Sequence, residues 1–215
     1  SEIYERSLSN RYFSWGWGKE SLPNPILSSQ NNISYSENKK IVLTLPSYYH
    51  YSGILDYLLA YKNDANNSID FTNEFISKIS LKIKNLMYLR EQKGEALKVY
   101  CNHFNIKEDF HKSFHESLLN SRIHVSNHFG TPFLESMAFN YPTIIILNKE
   151  LSFYLKPSAL KDFEKLSSIN IIFTDINRAA EHLNNVYENI DSWWLKDENQ
   201  IVVKKFNNEY AMNSK

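Results

Sequence analysis

Cysteine is almost absent. Cys101 is the only one in 215 residues, which excludes an internal disulfide framework and fits a reducing compartment. It falls in the apolar stretch Ala96, Leu97, Val99, Tyr100, where buried filler is the expected role rather than a nucleophile. Net charge is missing too, because 24 basic residues balance 24 acidic ones. No global field therefore draws the chain to nucleic acid or to an anionic membrane, and local basic residues must do any phosphate work. No apolar run approaches the roughly 20 residues of a transmembrane helix; runs such as Thr143 to Leu147 have the length of a core strand. The opening Ser1-Glu-Ile-Tyr-Glu-Arg6 lacks the basic and apolar regions of a signal peptide. It also lacks methionine, and the chain is expected to be the C-terminal part of a longer protein. Glycines number only five, and none belongs to a Walker glycine–lysine loop. A Ser/His/Asp elbow and paired metal carboxylates are likewise missing.

What remains is a globular composition, 42% hydrophobic and 14% aromatic, on a chain long enough for one large domain with an appended segment. Residues 1–38 read as an aromatic connecting segment. It contains a short strand in Arg11-Tyr-Phe-Ser-Trp-Gly-Trp-Gly18 and the extended Leu22-Pro-Asn-Pro-Ile-Leu27. Residues 39–196 read as alternating strands and helices. Apolar runs at Ile41–Leu45, Asn85–Arg90, Ile123–Val125, Thr143–Leu147 and Ile169–Phe173 predict strands covered on both faces. Helical spacing predicts helices over 69–83 with Asp70 as N-cap, 95–101, 107–119 with Phe110, Phe114 and Leu118 on the core side, 153–166 and 176–190. Residues 197–215 form a C-terminal helical tail after Trp193-Trp194, a pair expected to anchor the core or a domain contact. The fold class is thus α/β, a Rossmann-like doubly wound parallel sheet. The many asparagines are diffuse and carry no functional message.

The segment Arg122 to Leu147 carries the chemistry. It reads as a strand, a polar turn, a helix opening at Thr131-Pro132 and a second strand, the arrangement by which an open α/β sheet holds a phosphate. Gly130 permits close backbone approach, Thr131 suits the N-cap and Pro132 the first helical position. Ser126, Asn127, His128 and the Thr131 hydroxyl are candidate donors to the phosphate. Glu135 lies one turn inside the helix, one position beyond that of a capping box, and can accept hydrogen bonds from a ribose diol. Compensation of the helix dipole explains Glu135 equally well at this level, and His128 has an ordinary reading as a solvated loop histidine. His111 and His115 share the spacing of zinc-protease histidines, but Lys112 stands where such a site needs glutamate, so a solvated helix face is expected and no metal site is assigned.

The chain resembles glycosyltransferases of the two-Rossmann-domain type (GT-B) in their C-terminal, nucleotide-sugar-binding half. The resemblance rests on Ser126-Asn-His-Phe-Gly-Thr-Pro-Phe-Leu-Glu135 followed by Ala138-Phe-Asn-Tyr-Pro-Thr143. More closely, it is similar to transferases of bacterial O-antigen and surface-carbohydrate loci related to Kdo (3-deoxy-manno-octulosonic acid) transferases. Tyr12-Phe-Ser-Trp-Gly-Trp17, Leu22-Pro-Asn-Pro-Ile-Leu-Ser28, Arg90, Asn140-Tyr-Pro-Thr143, Ala179-Ala-Glu-His-Leu-Asn184 and Ser192-Trp-Trp194 carry that likeness. It implies a metal-independent transferase in lipopolysaccharide or capsule synthesis with no cofactor beyond its donor, a nucleotide sugar such as CMP-Kdo. Glu135 would contact the ribose and Gly130 and Thr131 the phosphate. Arg90 would meet the phosphate or a sugar carboxylate, and Ser47 and Tyr48 are weaker candidates in the loop after the first strand. A glycan or lipid-linked acceptor would be presented by a missing N-terminal domain, against which exposed Tyr12, Trp15 and Trp17 would lie, so no catalytic residue is nominated. The expected location is cytoplasmic, at most peripheral to the inner membrane through the full-length protein. The competing readings are a non-catalytic interaction or regulatory module of the same fold, and half of a GT-B-like epimerase or polyol-phosphate transferase.

Overall fold

A computed structural model describes residues 2–11, 14–15, 21–22, 39–45, 69–90, 95–147 and 157–211. The helix α1 (Glu2–Leu8) and two short parallel strands, β1 (Ser14–Trp15) and β2 (Ser21–Leu22), come first. Six further strands form one sheet: β3 (Ile41–Thr44), β4 (Met87–Arg90), β5 (Lys107–Glu108), β6 (Ile123–Ser126), β7 (Thr143–Ile146) and β8 (Ile172–Phe173). Every pairing is parallel and the spatial order is β5-β4-β3-β6-β7-β8. All four residues of β3, β6 and β7 are buried. Successive side chains point to opposite faces, so both faces of the sheet are covered. The chain has the Rossmann-like α/β fold that its apolar runs predict.

The connecting helices are α2 (described residues 69–78), α3 (Leu81–Lys84), α4 (Glu95–Phe104), α5 (Phe114–Leu119), α6 (Thr131–Ala138) and α7 (Pro157–Ser168). After β8 come α8 (Ile176–Val186), α9 (Asp191–Trp194) and α10 (Asp197–Tyr210). Helix α6 packs on β6 and β7, α8 on β7 and β8, and α10 lies over α6 and α7. The tryptophan pair is core: Trp193 and Trp194 are buried, and their indole N–H groups donate to the Ile169 carbonyl at 2.9 Å and the Asn140 carbonyl at 3.0 Å. Cys101 is buried and forms no disulfide among the described residues.

Scarce glycine has a structural consequence at the helix ends. Asn105, Asn140 and Asn170 follow α4, α6 and α7 in the left-handed conformation, with φ of 52°, 51° and 60°. After each, the next amide reaches back five residues: Ile106 to the Cys101 carbonyl, Tyr141 to Ser136 and Ile171 to Leu166. These are Schellman ends in which asparagine takes the usual place of glycine. The buried Ile106, Tyr141 and Ile171 then lead into the next strand.

Two helices depart from the periodicity. The one predicted over 69–83 breaks at Ile79 and Ser80, where the Ser80 hydroxyl caps α3 by accepting from the Ile83 amide at 3.4 Å. Asp70 lies within the helical residues and is not the cap. The helix predicted over 107–119 is confined to Phe114–Leu119, opened by Ser113, while Lys107 and Glu108 pair with β4 as an edge strand. The spacing of Phe110, Phe114 and Leu118 imitates a helical face, but Phe110 is 81% exposed in the intervening loop. His111 therefore precedes α5 rather than sharing its face with His115, whose ring lies against Phe139.

Candidate functional site

The strand order reverses between β3 and β6, since the crossovers before β6 proceed to one side of β3 and those after it to the other. In open α/β sheets the crevice outside the carboxyl ends of the strands at such a point is where ligands bind. Thr44 is aligned with Arg90 on one side and Ser126 on the other, so these residues form one transverse row at the carboxyl edge. Aligned residues of a parallel ladder point to the same face, and Arg90 and Ser126 are about 10 Å apart across it. Ser47 and Tyr48, and the side chains of Tyr12, Trp15 and Trp17, lie outside the described residues.

The turn from β6 into α6 is tied down by its own side chains. The fully buried Ser126 hydroxyl donates to the His128 carbonyl at 2.9 Å. Asn127 donates through Nδ2 to the Thr72 hydroxyl of α2 at 2.9 Å, and its amide meets the Thr44 carbonyl at 3.4 Å. Phe129 packs edge-on against Phe163 of α7 with ring centroids 4.5 Å apart. Burial lowers the His128 pKa to about 4, so its imidazole is neutral near pH 7. Gly130 has φ −147°, extended backbone open to any residue. Its lack of a side chain matters for another reason: a Cβ there would lie 2.7 Å from Cδ2 and Nε2 of His128.

The start of α6 lies one residue earlier than its sequence suggests. Gly130 is the N-cap, Thr131 the first helical residue and Pro132 the second, and no side chain caps the helix. Helix α8, at the edge of the sheet, is built differently: the Asp175 carboxylate accepts from the Asn177 and Arg178 amides at 2.8 and 3.2 Å. Among the described residues no side chain caps the N-terminus of α6 at the reversal point, whereas that of α8 is capped.

Glu135 is half-buried one turn into α6, and its carboxylate has no hydrogen bond or ion pair among the described residues. Burial raises its pKa and the charge of Arg90 pulls the other way, though no ion pair joins the two. Arg90, the last residue of β4, is held through one nitrogen. Its Nη1 donates to Asp109 Oδ2 at 3.0 Å, the Ser117 hydroxyl at 2.9 Å and the His111 carbonyl at 3.0 Å. These partners come from the loop after β5 and from α5; of them the sequence pattern marked only His111, and as one of a histidine pair rather than for its carbonyl.

A second set of missed residues lies beneath the turn. Fully buried His124 connects Thr44 of β3, 2.8 Å from its Nε2, with Ser136 of α6, 2.6 Å from its Nδ1. Ser136 donates to the Pro132 carbonyl, so it must accept from His124 Nδ1–H, and Nε2 then accepts from the Thr44 hydroxyl. The chain of donors runs in one direction from β3 to the first turn of α6. Burial, reinforced by His128, lowers the His124 pKa to about 3, which suits a neutral ring with one donor and one acceptor. Its signal in the sequence was a histidine alternating with apolar residues in a strand covered on both faces, where a polar group needs partners.

Among the described residues no group of histidine, cysteine, aspartate and glutamate could hold a metal ion, and no helix is long and apolar enough to cross a membrane. A hollow at the end of β8, lined by Ser167, Phe173, Asp175 and Arg178, has a volume of about 90 Å³, well below the roughly 300 Å³ of a small ligand site. The sequence profile of the LIC12162 family transferase matches residues 1–215, the whole chain. No curated protein and no solved structure matches the chain significantly.

Proposed function

Because the chain belongs to the LIC12162 family of transferases, we propose that its parallel sheet holds the nucleotide-sugar donor of a glycosyl transfer. The observation that carries this is Glu135, a half-buried carboxylate without a partner, within the field of Arg90 and at the strand-order reversal. Such a group is costly until something supplies donors to it, and the two hydroxyls of a ribose do so. The open edge of Arg90 suits a phosphate or a sugar carboxylate. The uncapped amides at Gly130 and Thr131 suit a phosphate oxygen.

In the reaction, the bond between the anomeric carbon and the phosphate oxygen breaks and its electron pair leaves with the nucleotide. The acceptor hydroxyl forms the new bond, giving its proton to a base supplied with the acceptor. Arg90 and the N-terminus of α6 stabilise the charge that develops on the departing phosphate. The preferred donor is a cytidine nucleotide of an acidic sugar such as CMP-Kdo, acting in a GT-B enzyme of surface-polysaccharide synthesis on the cytoplasmic side of the membrane. Thermal shift and calorimetry with CMP, UDP, GDP and CMP-Kdo test the reading. At least one should bind with one-to-one stoichiometry, and Glu135→Ala should weaken it about tenfold or more, the scale of one lost charged hydrogen bond. A folded chain that binds none of the four sinks the proposal.

A further inference from the structure

We propose that Asp109 is a positioning residue, which clamps one edge of the Arg90 guanidinium so that the other edge is presented to the phosphate of the bound nucleotide. This rests on reading the β3–β6 reversal as a nucleotide site. The guanidinium carries five N–H donors in one rigid plane. The two on Nη1 are shared among Asp109, Ser117 and the His111 carbonyl. Those on Nη2 and Nε engage no group among the described residues, and the side chain is 20% exposed. Fixing one nitrogen of a planar group fixes the direction of the others.

Asp109 is itself held from several sides. Its side chain is 4% exposed. Oδ2 accepts from the Ser117 hydroxyl as well as from Arg90, and Oδ1 accepts from the ring and the amide of His111. Strand β4, the loop after β5 and helix α5 therefore converge on one guanidinium nitrogen. The charge of Arg90 also acts on Glu135. A ligand lying between them meets a hydrogen-bond acceptor on one side and a cationic fork on the other, as the ribose and phosphate of one nucleotide require.

A purely structural ion pair that closes the β5–α5 loop would show the same distances. The two roles part on ligand chemistry. Losing a structural pair lowers stability and changes the affinity for every ligand alike. Losing a positioning residue, whatever it costs in stability, weakens only ligands that bear the phosphate. The test is calorimetric titration of the full chain with CMP and with cytidine, in wild type and in the Asp109→Asn, Ser117→Ala and Arg90→Lys variants. Wild type should favour CMP over cytidine. Asp109→Asn and Arg90→Lys should lower CMP affinity about tenfold with cytidine unchanged, because neither an untethered fork nor a lysine point charge reproduces the fixed geometry. Ser117→Ala, which removes one acceptor from Nη1 and one donor from Asp109, should lower it about threefold, and it serves if Asp109→Asn does not fold. A folded Asp109→Asn or Ser117→Ala variant with an unchanged CMP-to-cytidine ratio overturns the positioning role alone. Wild type binding neither CMP nor any other nucleotide overturns the nucleotide site, and this inference with it.

Discussion

Asp109 and Glu135 are carboxylates at the carboxyl edge of the same sheet, and the fold surrounds them in opposite ways. Burial alone would raise the Asp109 pKa, but hydrogen bonds from Ser117, His111 and Arg90 outweigh it and hold the group below the usual carboxylate range. Glu135 is also desolvated, receives no hydrogen bond, and is pushed up with only the more distant charge of Arg90 opposing. The helix starts show the same division, with Asp175 capping α8 and no side chain capping α6. One part of the edge is complete within the protein, while the part at the β3–β6 reversal is left open. A desolvated charge without partners costs stability, and that cost at the reversal point is what the proposed nucleotide site rests on.

The comparison breaks first, and by the largest amount, at Asp109. Asp109→Ala leaves Arg90 without its carboxylate and should cost about 3 kcal/mol of stability, read from the urea midpoint at unchanged m value. A loss below about 1 kcal/mol would place the pair among ordinary surface ion pairs and remove the contrast. The next effect is that of His124. Its folded pKa is depressed to about 3, so as pH falls below about 6.5 the unfolded chain takes up a proton that the folded chain refuses. Stability attributable to His124 therefore drops by about 1.4 kcal/mol per pH unit between those values. His128 and His182, both lowered to about 4 by burial, act in the same direction. The measurement is accordingly a difference: His124→Gln should show a shallower fall between pH 6 and pH 5 than wild type. Equal slopes would mean that His124 accepts its proton in the folded state.

What could be read from the sequence follows a physical rule. Strands β3 and β7 are apolar runs buried on both faces and were visible as such, and β6 was visible from Ile123 and Val125. Strand β5 is Lys107–Glu108 at the sheet edge, and no side-chain pattern announces so short and polar a strand. Phe110, Phe114 and Leu118 then gave a helical period by coincidence across a loop. The positions of Glu135, Arg90 and the Gly130 turn at the carboxyl edge were legible because each depends on its place relative to a strand or helix end. Gly130 proved to make room for the His128 ring, a contact within the turn that its type alone did not specify. Asp109, Ser117, His124 and Ser136 were not legible, because their meaning lies in partners 12 to 80 residues away.

The smallest expected effect has the opposite sign from the first and tests the open part of the edge directly. A carboxylate whose folded pKa is raised favours folding while protonated, and that contribution is lost as pH rises from its ordinary value through the raised one. Above that range the ionised Glu135 is therefore a net cost to the empty protein. Glu135→Gln keeps the shape and removes the charge, so it should raise Tm at pH 7 by on the order of 1–2 °C and by less at pH 4, where the wild-type carboxyl is already protonated. The same variant should lose most of the nucleotide-induced rise in Tm that the wild type shows, since an amide is a poorer acceptor for a diol than a carboxylate. A variant less stable than wild type at pH 7 without nucleotide would mean that the fold already satisfies Glu135. The contrast with Asp109 would then describe two structural carboxylates, and the reason to look for a ligand at the strand reversal would fall with it.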